Sequence, residues 1–213
     1  MTVDQSGWKK LIESPSSSLS VSASDAIEKL LKEYSFSTVL DIGCGPGTHA
    51  KLFRDGGKEV TTISEKAIDG FVPDYLGRFE DFTTSDSYDL IWASHVLEHT
   101  LSPVLFLRKI FDLARDNDIV AITVPPLKHN IVSGHINLYN IGLLLYQMIC
   151  AGFDCSQCAY KVYGYNISII VRKNATEIPF VQSPLPFVEC RKYFPFPLSL
   201  GGFDGRSPIE CNW

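Results

Sequence analysis

The sequence predicts an α/β fold built on a doubly wound, mostly parallel sheet with helices on both faces. Short runs suited to burial on both faces, at residues 88–93 and 119–124, alternate along the chain with stretches of helical periodicity. Strands of that kind, separated by helices, belong to a parallel sheet covered on both sides. The first strand also runs straight into a glycine-rich turn that opens a helix, the kind of strand edge that can hold a ligand. With 213 residues, 45% of them hydrophobic, the chain can bury the core such a sheet needs.

Residues 1–22 are rich in serine, with Pro15 among them, and read as a loosely docked arm. A helix is expected next: Ser22 followed by Asp25 fits a capping box, and Ile27, Leu30, Leu31 and Tyr34 recur at i, i+3, i+4 and i+7. A strand at 37–42, a helix at 48–54 and a strand at 59–63 follow, then a strand at 88–93, an amphipathic helix at 103–114 and a buried strand at 119–124. Residues 140–151 make the last long helix, which Gly152 ends, and strands near 153–162 and 165–172 close a domain spanning 23–173. The extension at 174–213 differs in character, holding six of the twelve prolines and seven aromatics from Phe180 to Trp213. Prolines so spaced prevent a helix or central strand, and that many aromatics do not stay in water. A ribbon packed on the domain or on a partner subunit is expected, the latter making a homodimer.

Nineteen Lys and Arg against twenty-four Asp and Glu leave a net charge of −5, and no basic run exceeds two residues. Nucleic acid is therefore not the expected partner. No apolar stretch approaches the roughly 20 residues that cross a bilayer, and the start of the sequence lacks the basic-then-apolar order of a signal peptide. A cytoplasmic protein without a membrane span is expected, with its six cysteines reduced. Cys155 and Cys158 have the spacing of half a zinc site, but no second pair follows, and no metal is expected.

The chemistry concentrates in VLDIGCGPG, residues 39–47. A buried strand ends in an acid, Asp41, and turns through Gly43, Gly45 and Gly47 into the helix at Thr48. Glycines there accept positive φ and let a ligand lie directly on the main chain. A dinucleotide fingerprint would place the third glycine one residue later, where Thr48 stands, and Pro46 removes an amide that a pyrophosphate would use. Asp41 would repel a phosphate but suits an amino-acid ammonium. S-adenosylmethionine carries that ammonium and no phosphate.

This segment, followed by YDLIWASHVLEH over residues 88–99, resembles the first and fourth motifs of class I S-adenosylmethionine-dependent methyltransferases, especially the small, metal-independent ones. GHINLY at 134–139, the helix after it and Ala151, Gly152 and Phe153 are similar to the segment after the fifth strand in that family. The likeness covers about residues 25–173. It implies a Rossmann-like sheet of seven strands whose last is antiparallel, with S-adenosylmethionine as cofactor. Asp41, Gly43, Cys44, Gly45 and Gly47 then form the cofactor loop. In the family an acid at the end of the second strand holds the ribose. Here Ser64 stands in that place and Glu65 one step later, and Glu65 is the expected partner because a carboxylate accepts from both hydroxyls. The adenine side falls to Phe79 or Glu80, with Arg78 where the family often has an acid. Ser94 and His95 follow the fourth strand at the edge where open sheets keep their ligands.

The implied reaction is methyl transfer to an oxygen or nitrogen of a small-molecule acceptor: a metabolite, a sugar or a lipid-linked compound. The protein must position the acceptor, exclude water and take up a proton where one is lost. His95 is the first candidate for that pocket. His135 is the second, in the loop 125–139, which is longer than a connection requires; an imidazole suits proton removal at neutral pH. Two other functions stay open. A methyltransferase fold can hold a cofactor or a protein partner without turnover, which Ser64 and Arg78 favour. More remotely, His95, Glu98 and His99 spell H-x-x-E-H, the inverted zinc-hydrolase order, but that chemistry needs the motif inside a longer helix, and here a buried strand leads into it.

Overall fold

The computed structural model describes residues 22–174, 178, 185–198 and 211–213. Residues 1–21 of the arm expected at 1–22, and Phe180 and Phe203 of the extension, lie outside those residues. Seven strands form one sheet in the order β3-β2-β1-β4-β5-β7-β6, with β1 at Thr38–Ile42, β2 at Glu59–Ser64, β3 at Tyr75–Leu76, β4 at Leu90–Ser94, β5 at Ile119–Val124, β6 at Ala159–Tyr163 and β7 at Asn166–Arg172. β1 runs parallel to β2 and to β4, and β2 parallel to β3, whereas β7 runs antiparallel to both β5 and β6. That is the mostly parallel sheet with an antiparallel last strand that the sequence predicts. The chain divides between Ser94 and His95 into two compact units.

In the first unit, helix α1 (Ser24–Glu33) precedes β1, and α2 (Thr48–Asp55) follows it. Ala26, Ile27 and Leu30 form the buried stripe of α1. The expected capping box is corrected: the N-cap is Ala23, left-handed at φ 57°, with no side-chain cap. Ser22 turns instead to α2, its carbonyl accepting from His49 Nε2 at 2.9 Å. His49 Nδ1 in turn accepts from the indole N–H of Trp92 at 3.3 Å, the two rings standing at 90°. Fully buried and also edge-on to Phe53, Trp92 locks α2 against β4. β4 begins two residues later than expected because Asp89 serves the main chain, its carboxylate accepting from the amides of Ser37 and Thr38 at 2.7 and 3.1 Å. Among the described residues no α-helix separates β2 from β3 or β3 from β4. A tight turn at residues 68–71 and a 3-10 turn at Phe79–Asp81 take their place.

In the second unit all six residues of β5 are buried. Pro103 stands in the first turn of α3 (Pro103–Leu113), where its missing N–H is harmless. Asn140 caps α4 (Ile141–Cys150), its side chain accepting from the Leu143 amide at 2.8 Å. The strand expected near 153–162 shortens to Ala159–Tyr163. Asp154 accepts from the Ser156 amide at 2.9 Å and the Cys158 amide donates to the Cys155 carbonyl, so residues 154–158 turn.

Prolines do not bar helix from the extension altogether. One turn, α5 (Phe187–Cys190), and a 3-10 turn at Arg191–Tyr193 form after Pro186. Tyr146 of α4 donates to the Leu185 carbonyl at 2.5 Å, and Phe196 meets Tyr160 of β6 edge to face. Asn212 accepts from the Tyr160 amide at 2.8 Å, so the end of the chain uses hydrogen bonds that edge strand β6 would otherwise offer. All six cysteine thiols are free. No helix of the described residues is long and apolar enough to cross a membrane.

Candidate active site

β1 holds Asp41 between Thr62 of β2 and Trp92 of β4, and leaves it 1% exposed. Its Oδ2 has no hydrogen-bond partner among the described residues. Burial lifts the carboxyl from 3.8 to about 7, against the opposing pull of Arg54 and of the Ala50 amide. A carboxylate this deep is normally answered by donors, and here the chain leaves one oxygen without any.

The loop that follows is tied to β2, the amides of Gly43 and Cys44 both donating to the Ile63 carbonyl. Gly45 has φ 53°, and a Cβ built there meets nothing within 4 Å, so its main chain is bare to a ligand. Gly47, at φ 75°, is required for a different reason: a Cβ would lie 2.5 Å from the ring of Phe71. That ring comes from the 68–71 turn, where Asp69 and Gly70 have φ of 51° and 81° between the paired Ile68 and Phe71. Phe71, Pro46, Lys51 and Arg54 help to line a cavity of about 500 Å³ beside the loop. Burial and the neighbouring Asp41 raise the Cys44 thiol to about 12, which removes it as a nucleophile.

The ribose and adenine candidates are linked by Arg78. Its Nε lies 4.0 Å from Glu65 and its Nη2 3.5 Å from Glu80, all three side chains being exposed. Ser64 ends β2, its hydroxyl accepting from the Lys66 amide at 3.4 Å. Phe79 is packed inward, 4% exposed. Ser94, buried at the end of β4, has a hydroxyl without a partner.

His95 opens the second unit at φ 56°, an unusual conformation for a side chain of its size. Its Nε2 donates to Asn166 Oδ1 at 3.0 Å and its Nδ1 lies 3.4 Å from Glu98 Oε1. Burial alone would lower its pKa, but the contacts with Glu98 and Asn166 outweigh burial and raise it. Leu97–His99 is a single 3-10 turn, so the helix an inverted zinc-hydrolase motif needs is absent. Glu98 is fully buried, and among the described residues neither carboxylate oxygen accepts a hydrogen bond. His99 Nε2 stands 3.9 Å from Glu98 Oε1, and His135 packs edge-on to His99 with 5.0 Å between centroids. The loop 125–139 is fastened to this turn. The Ile136 and Asn137 amides donate to the Glu98 carbonyl at 3.0 and 3.1 Å, and Asn137 Nδ2 donates to the Thr100 carbonyl at 2.7 Å.

Compared with known families, residues 17–157 match the methyltransferase domain. The chain belongs to this family. The malonyl-[acyl-carrier protein] O-methyltransferase of Enterobacter lignolyticus (strain SCF1) is 26% identical over 112 residues, covering 47% of this chain and 44% of that protein, so the chain spans less than half of this relative's length. Of solved structures, the 1,6-didemethyltoxoflavin-N1-methyltransferase of Burkholderia thailandensis, with bound S-adenosylhomocysteine, matches with a TM-score of 0.55 at 16% identity over 65% of this chain and 71% of that one. Human N-acetylserotonin methyltransferase in complex with S-adenosylmethionine matches with a TM-score of 0.51 at 14% identity over 70% and 53%. At those identities the likeness shows the fold alone. S-adenosylmethionine is the cofactor of this methyltransferase domain, and the residues present fit it. A buried carboxylate oxygen without a donor, in a loop with bare main chain at Gly45, suits a ligand that carries an ammonium and no phosphate.

Sequence reasoning missed Phe71 and Asn166, and, while naming His95, Glu98, His99 and His135, it did not foresee that His135 joins the others at Glu98. An aromatic one residue after Asp69-Gly70 was a legible signal for a hairpin-like turn. Nothing near Asn166 in the sequence marks it as the partner of His95.

Proposed function

We propose that this methyltransferase domain transfers a methyl group to an oxygen or nitrogen of a small-molecule acceptor. The observation that carries the reading is Asp41, buried, without a donor for Oδ2, and followed by an exposed glycine main chain. When bound, the cofactor supplies a methyl on a sulfonium and a thioether leaving group. Asp41 holds the ammonium and the loop at Gly43, Cys44, Gly45 and Gly47 carries the methionine part. Glu65, with Ser64 behind it, takes the ribose, and Phe79 and Glu80 take the adenine. Ser94 Oγ, buried without a partner, donates to the ligand.

His95 and His135 serve the acceptor. With both ring nitrogens facing acceptors, His95 positions and does not abstract, so contact with the acceptor falls to His135. The activities of the relatives, on malonyl-[acyl-carrier protein], on 1,6-didemethyltoxoflavin and on N-acetylserotonin, support a small acceptor group. The acceptor is met in the cytoplasm, and the 174–213 extension is the surface through which a homodimer would form. The engaged His95 also fits a second reading, a domain that holds the cofactor without turnover. Incubation with S-adenosylmethionine and a panel of small hydroxy acids, phenols, amines and sugars decides between them by mass spectrometry. Acceptor-dependent S-adenosylhomocysteine supports transfer, and cofactor binding with no product from any acceptor class supports the second reading.

A further inference from the structure

We propose that Glu98, His99 and His135 form a binding site for one divalent transition-metal cation. This departs from the metal-free domain that the sequence leads one to expect, and it holds whatever the acceptor is. The three residues offer a carboxylate oxygen and two imidazole nitrogens, all within 4.8 Å of one another. One carboxylate with two histidines is a recurrent donor set for zinc and neighbouring first-row metals.

Two independent observations ask for a cation there. Glu98 is fully buried and neither of its oxygens accepts a hydrogen bond among the described residues. A buried carboxylate in that condition is unstable without a nearby positive charge, and His95, at 3.4 Å, approaches Oε1 alone. The second observation is the tautomer of His99. Its Nδ1 lies 2.7 Å from the Gly134 carbonyl, which can only accept, so Nδ1 carries the proton. That bond aims the other ring nitrogen, Nε2, at Glu98 Oε1 from 3.9 Å. The gap is too long for a hydrogen bond. A cation can be drawn in between them, since tetrahedral bonds of ~2.1 Å place ligand atoms roughly 3.4 Å apart, somewhat closer than this gap. The Gly134 bond is also the kind of outer contact that orients a metal-ligating imidazole.

His135 completes the set from the loop 125–139, which the Ile136 and Asn137 amides pin to the Glu98 carbonyl. Drawing the widest ligand separation, within 4.8 Å, to tetrahedral spacing asks for a movement of at most roughly 1.4 Å. Three protein ligands leave a coordination position for an oxygen of water or acceptor. His135 then reaches the acceptor through the cation.

Zinc is the probe, titrated into the full-length chain against a chromophoric chelator, with cobalt as its spectroscopic stand-in. The wild type is expected to bind one equivalent, and His99→Ala and His135→Ala each to weaken binding roughly a hundredfold. Glu98→Gln is expected to weaken it roughly tenfold. His129→Ala, in the same loop but outside the cluster, keeps wild-type affinity. Melting curves and S-adenosylmethionine affinity of each variant show that it is folded and keep the outcome separate from the methyltransferase reading. Absence of stoichiometric binding overturns the proposal, as does affinity unchanged in both histidine variants. A thiolate-to-cobalt charge-transfer band also overturns it, by placing the metal on cysteines.

Discussion

Asp41 and Glu98 are both almost wholly buried, and each leaves carboxylate oxygen without a hydrogen bond, yet their surroundings differ. Around Asp41 the chain offers bare glycine main chain and the distant pull of Arg54, and burial lifts the carboxyl to about 7. Around Glu98 it offers imidazoles: His95 at 3.4 Å, His99 at 3.9 Å and His135 within reach of both Glu98 and His99. The contrast shows where each acid obtains its counter-charge. Asp41 is proposed to await a cationic ligand. Glu98 has imidazoles of its own chain beside it, the donors from which the proposed metal site is built.

The largest expected effects lie at the first acid. Gly45→Val puts a branched side chain at φ 53° into the space left for the ligand, and Asp41→Ala removes the ammonium acceptor. Each should weaken S-adenosylmethionine binding at least about tenfold in a calorimetric titration; wild-type affinity in both would break the comparison at once. The ligand-free protein should also show the suppressed charge of Asp41. Its folded state keeps a proton that the unfolded chain loses near pH 3.8, so Asp41 makes stability fall as pH rises from about 4 to about 7 and adds no further slope above that. Denaturant melts of wild type and Asp41→Asn should converge in slope above about pH 7 and differ below it.

A smaller effect tests the second acid. In Glu98→Gln the raised pKa of His95 should fall, because burial stays and the main opposing contact is gone. A proton NMR titration of the His95 ring reads this directly, and an unmoved pKa would make Asn166 the dominant partner. The sign for stability follows. The raised pKa of His95 stabilises the fold below about pH 6.5 and loses that contribution as pH climbs through its folded value, so the variant should lose less over that range. Smallest is the ribose contact: Glu65→Gln should weaken cofactor binding a few-fold and Ser64→Ala less, because a carboxylate makes charge-assisted bonds. The reverse order would shift the assignment to Ser64.

The two acids also differ in how far they could be read from sequence. The features on which Asp41 is proposed as a cofactor residue lie within residues 39–47, where strand, acid and glycines are consecutive and local backbone rules apply. The alternation of strands and helices was legible for the same reason, since periodicity is a local property. Its errors fall where side chains take over main-chain duties: Ser22 leaves the α1 cap for His49, Asp89 delays β4, and Asp154 turns the approach to β6. Glu98 gathers its neighbours from positions 95, 99 and 135, and His95 in turn takes Asn166, a pattern only the fold decides. The buried strand leading into H-x-x-E-H argued against a longer helix there, and the single 3-10 turn at Leu97–His99 agrees.

The central claim is that Asp41 ionises to receive the cofactor's ammonium. S-adenosylmethionine titrated calorimetrically at about pH 6 and about pH 8, in two buffers of different ionisation enthalpy, tests it most directly. With the free carboxyl at about 7, wild type should bind roughly tenfold tighter at the higher pH and release nearly one proton at the lower, while Asp41→Asn should show neither effect. Equal affinity at both pH values with no proton released would contradict the account.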